Sequence, residues 1–328
     1  MTIRPRDNVL LAMKHEEPYW IPNNITDCDV VLQQAVQERY EGTTEGRDEF
    51  GVEFVYDKES RGPVVRPGYR AFQDIEEWHD LVFPDLENRD WEALAAKDTA
   101  KWDRENKFSI VQMYNGMFER AHIMMGFQEV LMALLEEPEE MEEWFRVFTD
   151  YRCALIRKIA QYYKPDAVMI FDDYGAKQSM MFSPAIWREM IKPQLKRLVD
   201  TAHDCGLFYI LHGCGYYKPI FPDIVELGVD GAHPVQVSND PKELKDKYGK
   251  NICFCGGFDN VDILDNENCT VEQTREEVRR VLTELAPGGS YLAWRSFLIT
   301  HPDVFMEEYW RIVGPQKEAA LAKAALIH

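Results

Sequence analysis

The sequence predicts an α/β barrel of the (β/α)8 TIM type, read as one domain over residues 1–328. Three observations carry that expectation. From about residue 165, short apolar runs alternate with turns or glycine clusters and then with longer amphipathic stretches, which implies parallel strands joined by right-handed helical crossovers. Polar and reactive residues follow the apolar runs at Asp172, His212, Cys214, His233, Cys255 and Arg295, the end at which barrel enzymes keep their chemistry. An open doubly wound sheet is the alternative, but the Gly-x-Gly-x-x-Gly dinucleotide fingerprint that would support it does not occur in the sequence.

Taken in order, residues 1–105 read as an N-terminal elaboration with early barrel units. The alternation over 49–56 predicts a strand, and 61–68 would turn back as a hairpin or an extended lid. Residues 109–113 read as an early barrel strand ending in Tyr114 and Asn115, and 126 to about 149 as helix with an acidic break around Pro138. The run 167–171 ends at Asp172 and Asp173. Ser183 and Pro184 then open a helix as N-cap and first residue, with a kink expected at Pro193. Runs at 207–211, 229–233 and 252–255 follow, Thr270 to Gln273 has the form of a capping box, and 291–294 is the last strand. The Ala-rich stretch 316–327 is expected to be helical.

Composition bounds the partners. With 37 basic against 57 acidic residues, the net charge of −20 opposes nucleic acid and anionic lipid surfaces. No apolar run approaches the roughly 20 residues of a membrane span, and no secretory leader is recognisable, so a cytoplasmic location is expected. Seven irregularly spaced cysteines agree with thiols in a reducing compartment. A homodimer is left open.

The most informative motif is His212-Gly-Cys-Gly215, at the end of an apolar run. Residues two apart on a strand point to the same side, so an imidazole and a thiol stand together at its tip, two parts of a zinc site with an open position. A buried cysteine beside a hydrogen-bonded core histidine is the plain alternative. Cys255 ends another strand and is the preferred third ligand, although Cys253 and Cys255 could both be barrel filler. His233 is read as a catalytic, ligand or structural residue, and Asp172 and Asp173 as proton-handling or supporting groups, unless one simply caps a helix. Tyr114, Asn115, Tyr174, Trp294 and Arg295 are the expected substrate contacts.

The ordered set Phe171-Asp-Asp-Tyr-Gly175, Ser183-Pro184, Lys192-Pro193, His212-Gly-Cys-Gly215, Gly228-Val-Asp230 and Gly256-Gly-Phe-Asp259 resembles the uroporphyrinogen decarboxylase superfamily, and within it the corrinoid-linked methyltransferases. The resemblance implies the barrel. It departs from true porphyrinogen decarboxylases, whose early arginine-rich segment has no counterpart in Glu17-Pro-Tyr-Trp-Ile-Pro-Asn23. In the thiol-directed methyltransferases it implies a late zinc-binding cysteine where this chain has Ser296. Serine is a poor zinc ligand, so Cys255, a histidine or a carboxylate at another strand end would have to replace it.

The function so implied is zinc-dependent transfer of a methyl group from a small methoxylated substrate, such as an aromatic ether, to cobalt(I) of a corrinoid on a separate corrinoid-binding protein. A separate carrier is expected because the chain has no Asp-x-His-x-x-Gly segment. The nearest approach, Asp200-Thr-Ala-His203-Asp-Cys-Gly206, is one residue too long. Transfer from methylcorrinoid to a thiol, metal-free decarboxylation and a non-catalytic subunit of a corrinoid assembly are the alternatives.

Overall fold

The computed structural model describes residues 3–59 and 62–326. Its ten strands are β1 (Cys28–Leu32), β2 (Glu45–Arg47), β3 (Glu53–Asp57), β4 (Gly62–Val65), β5 (Phe108–Met113), β6 (Ala167–Phe171), β7 (Phe208–His212), β8 (Gly231–His233), β9 (Cys253–Cys255) and β10 (Tyr291–Leu292). Seven of them form one sheet in the order β1-β5-β6-β7-β8-β9-β10, every pair parallel. Past β10, Ala293 bridges Asn23, just ahead of β1, which brings the two ends of the sheet together. The fold is the α/β barrel of the (β/α)8 type, with the last position reduced to that bridge among the described residues.

Alternation along the strands builds the interior. Phe108 and Ile110, Ala167 and Met169, Ile210, Cys253 and Cys255, and Leu292 and Trp294 form one buried cluster that fills the barrel. Val9, Ala12 and Met13 of the helix Pro5–Met13 join it from the N-terminal end. Arg6 of that helix pairs with Asp166, immediately before β6, and Arg4 pairs with Asp7. The two arginines nearest the N-terminal segment are therefore engaged at the end of the barrel away from the strand tips. His203 is likewise tied to Asp230, just ahead of β8, at 2.8 Å.

The helices follow the sequence with informative differences. The break at Pro138 separates Phe127–Glu136 from Pro138–Tyr162, and the second helix runs well past 149. Ser183 caps the next helix through the Ile186 amide, as expected. Instead of a simple kink, residues Trp187–Ile191 adopt a π turn ahead of Lys192–Asp204, which accommodates the amide missing at Pro193. The Thr270 capping box is formed in full. The last helix spans Pro302–Ala325, and Ile327 lies outside the described residues. No helix among the described residues is long and apolar enough to cross a membrane.

The strand expected over 49–56 is displaced to β3, because Asp48 accepts the Phe50 and Val52 amides and folds that stretch into a turn. The hairpin return is β4, paired antiparallel with β3, while Arg61 lies outside the described residues. Asp48 is held in turn by buried Arg120 at 2.7 Å, and Glu38 by buried Arg152, so the N-terminal layer is clamped to the helices Met117–Met125 and Pro138–Tyr162.

Candidate active site at the barrel mouth

Three side chains converge where β6 and β7 end. Because Phe171 is in register with His212, the residues two positions beyond each, Asp173 and Cys214, also come side by side. Cys214 Sγ is 3.4 Å from His212 Nε2, Asp173 Oδ1 is 3.9 Å from the same nitrogen, and the Cys214 amide donates to Asp173 Oδ1 at 2.6 Å. Among the described residues these are the one group of three potential ligands whose donor atoms all lie within 4.8 Å of one another. The loop after Cys214 is held where it is by glycine. A Cβ on Gly215 would sit 2.1 Å from the Gly175 carbonyl oxygen, and its φ of +74° also favours glycine.

Two neighbours fix the imidazole. Phe171 stacks on it, with ring centres 3.9 Å apart and planes at 19°. His212 Nδ1 is 2.8 Å from His233 Nδ1, and His233 packs against Trp294. If His212 offers its Nε2 lone pair to the cluster, its proton sits on Nδ1 and is donated to His233. Burial pulls His212 down to about 3 and holds His233 well below its usual range, so both rings are neutral at physiological pH.

Burial likewise raises the Asp173 carboxyl and, reinforced by Asp173, the Cys214 thiol. Neutral imidazole with the thiol and carboxyl in their deprotonated forms would make a mixed N, S, O donor set of the kind zinc accepts. A divalent cation would supply the positive charge that the two acidic groups lack.

The cluster borders a cavity of about 590 Å³, whose lining includes Asp173, His212, Phe171, Tyr114, Asn115, Glu119 and Arg39. The helix Met117–Met125 presents Glu119, His122 and Ile123 to it, and the β3–β4 hairpin closes it with Phe54, Pro63, Val64 and Val65. Glu119 Oε1 accepts the Asp173 amide at 3.3 Å, and its own carboxyl is raised well above the usual range by burial and then by Asp173 and Asp172. A second cavity, of about 560 Å³, is formed by the loops after β6 to β9, including Gly175, Gly215, Tyr216 and Phe258.

The other expected site residues are placed as follows. Cys255 does not join the cluster. Its side chain belongs to the barrel interior, and a Cβ built on Gly231 would lie 3.5 Å from its sulfur. Asp172 is buried and accepts the Phe118 and Glu119 amides at 3.1 and 3.0 Å and the Tyr174 hydroxyl at 2.8 Å. It therefore caps the helix after β5 and not the one after its own strand. A Cβ on Gly116 would come within 2.4 Å of it, so glycine there is what lets the carboxylate approach. Tyr114 and Asn115 reach the cavity, Tyr174 is occupied by Asp172, and Trp294 supports His233. Arg295 stands beyond β10, where its backbone pairs with Asn24, and it is not among the cavity-lining residues. Ser296 accepts the Leu298 amide.

Sequence reasoning missed Asp173 as a cluster member, and Arg39, Glu119 and His122 altogether. Asp173 repeats after β6 the spacing of Cys214 after β7, and Glu119, His122 and Ile123 have the i, i+3, i+4 spacing of one helix face.

A parallel barrel with imidazole, thiol and carboxyl groups gathered at its strand tips defines an α/β-barrel protein whose reactive side chains stand at the mouth. The profile of the uroporphyrinogen decarboxylase family (URO-D) matches residues 47–294, and the chain belongs to that family. Among solved structures, a methyltransferase from Methanosarcina mazei is similar at a TM-score of 0.69 and 17% identity, over 97% of this chain and 99% of that one. At that identity the likeness shows the fold. A Xaa-Pro dipeptidase with bound methionine overlaps at a TM-score of only 0.21 and 13% identity, over 53% of this chain and 35% of that one, and carries no argument. No curated protein matches the sequence.

Proposed function

We propose that this protein is a zinc-dependent methyltransferase that moves a methyl group from a small methoxylated substrate to the corrinoid of a separate protein. The observation that carries the reading is the convergence of Asp173, His212 and Cys214 within 4.8 Å at the edge of a roofed cavity. Those three residues would hold the metal, whose contribution when bound is Lewis acidity toward an ether oxygen. The carboxylate option for the third ligand thus takes precedence over Cys255. His233 keeps the His212 proton on Nδ1, and Phe171 shields the ring from water. Phe54, Tyr114, Phe127 and Phe171 offer aromatic faces to a substrate ring.

The barrel of the Methanosarcina mazei methyltransferase supports the reaction class. A separate corrinoid carrier fits the engagement of His203 with Asp230. It also fits the exposed Val237, Val261, Phe297 and Leu298, which follow β8, β9 and β10 and would suit transient docking. Porphyrinogen decarboxylation is disfavoured by charge. Arg4 and Arg6 are paired elsewhere, and a polyanionic tetrapyrrole would meet Arg39 as the one arginine lining the cavity among the described residues.

The test is metal content and methyl transfer measured together on the wild type, His212→Ala and Cys214→Ala. One equivalent of zinc and transfer from a methoxyarene to reduced corrinoid are expected in the wild type, and loss of both in the folded variants. Full transfer by either variant, or carbon dioxide release from a carboxylated substrate without metal, would reject the reading.

A further inference from the structure

The helix Phe127–Glu136 carries more apolar surface than the rest of the protein covers. Val130, Ala133 and Leu134 are buried against the core. Phe127, Leu131 and Leu135 recur every four residues along the adjoining face, with Met132 beside Leu135. Phe127, Met132 and Leu135 are 45%, 46% and 70% exposed, and Leu131 is half-buried. A surface helix usually has one apolar stripe and a polar remainder. Here Gln128, Glu129 and Glu136 are the only polar residues in ten, so the helix has two apolar faces and one of them is uncovered. A contiguous exposed apolar face marks an interaction site, where scattered single residues do not.

Charge indicates what covers it. Glu129, near the start of the helix, is neutralised by Arg70. At the other end, burial and then Asp74, Glu76, Glu136 and Glu140 raise the Glu137 carboxyl, so five acidic groups crowd the point where the stripe finishes. Among the described residues no arginine or lysine pairs with any of these five, and His79 lies 3.1 Å from Glu140. A second copy would bring the same acidic end, with its Arg70 already engaged, and the net charge of −20 opposes an anionic bilayer. We propose that the outer face of this helix docks an amphipathic basic helix of a separate protein, its apolar side on Leu131, Met132 and Leu135 and a lysine or arginine toward Glu136 and Glu137. The proposal is independent of the methyltransferase reading, and it uses a different element from the exposed residues after β8, β9 and β10. Phe127 also lines the 590 Å³ cavity, so the docked helix would stand at its rim.

Fluorescence anisotropy of three labelled peptides with the full chain, at about 0.15 M salt, tests it. One peptide has leucine at the positions of a helical stripe and lysine elsewhere. The second has the same composition in an order that forms no stripe, and the third replaces every lysine of the first by glutamate. The first is expected to bind about 10-fold tighter than either of the others, and Leu135→Gln to weaken it about 10-fold, the effect of losing one interface anchor. Glu136→Lys combined with Glu137→Lys should turn the preference toward the glutamate peptide. Circular dichroism checks that the variants fold. Should Leu135→Gln fail to, the charge variant and the ranking of the three peptides by the wild type decide the matter. Equal binding of the two lysine peptides, binding unchanged in Leu135→Gln, or no binding of any peptide would overturn the proposal. So would a dimer in sedimentation velocity that Leu135→Gln dissolves, which assigns the face to a second copy, or flotation with phosphatidylcholine vesicles that the same variant abolishes, which assigns it to lipid. None of these outcomes bears on zinc or on methyl transfer.

Discussion

The contact between His212 and His233 bears on whether the nitrogen that faces the metal-capable cluster carries a proton. Two neutral rings joined through their Nδ1 atoms must share one proton between those atoms, so the His212 Nε2 lone pair is free only while His233 accepts. His233→Ala is therefore expected to keep the fold but to weaken zinc binding about 10- to 100-fold, the usual cost of losing an orienting partner. Competition with a chromophoric chelator would measure it, and an unchanged affinity would remove His233 from this role. At this scale the sequence was legible where spacing alone fixes direction, as for His212 and Cys214. Asp173 was not, because its membership depends on the register of β6 against β7, which brings Phe171 opposite His212. Parity after Phe171 separates Asp173, which enters the cluster, from Asp172, which caps a helix, but it names no partner until that register is known.

Elements place these residues, and some are pinned by charge. Glu308, buried on the helix Pro302–Ala325, pairs with Arg275 and Arg279 of the helix Val271–Leu285 and with Arg311 of its own helix. Hydrogen bonding to Arg311, outweighing burial, and then to Arg279 and Arg275 lowers its carboxyl to about 2. A depressed folded-state value means stability present above the ordinary glutamate range and lost as pH falls toward 2. Glu308→Gln is accordingly expected to cost about 1–3 kcal/mol near pH 7, allowing for screening of the exposed arginines, and less as pH falls from 4 toward 2. Denaturant unfolding across that range checks both sign and window. A cost independent of pH would contradict the assignment. The regular alternation from about 165 onward was readable because each strand buries its inward face. The first 105 residues were less so. β1 was not recognised, and the turn at Asp48 owes its position to Arg120, 72 residues further along the chain.

The whole molecule is a barrel with its N-terminal end plugged by a helix and its other end roofed by an antiparallel hairpin, leaving a cavity beside the cluster. The barrel could be anticipated because alternation and crossovers are repeated properties of the chain. The hairpin or lid expected over 61–68 is present as β4 paired with β3, but its placement beside the site was not legible, because it involves the distant clamp of Glu38 and Asp48 on Arg152 and Arg120. The hairpin covers part of the cavity beside the three convergent side chains, which on the proposed reading would limit the access of water to a bound substrate.

Zinc-edge X-ray absorption of the metal-loaded protein bears most directly on the central claim. The expected spectrum has one sulfur neighbour at about 2.3 Å with nitrogen and oxygen at about 2.0–2.2 Å, and no sulfur in Cys214→Ala. Two sulfur neighbours, a spectrum unaltered in that variant, or a protein that retains no zinc would contradict it.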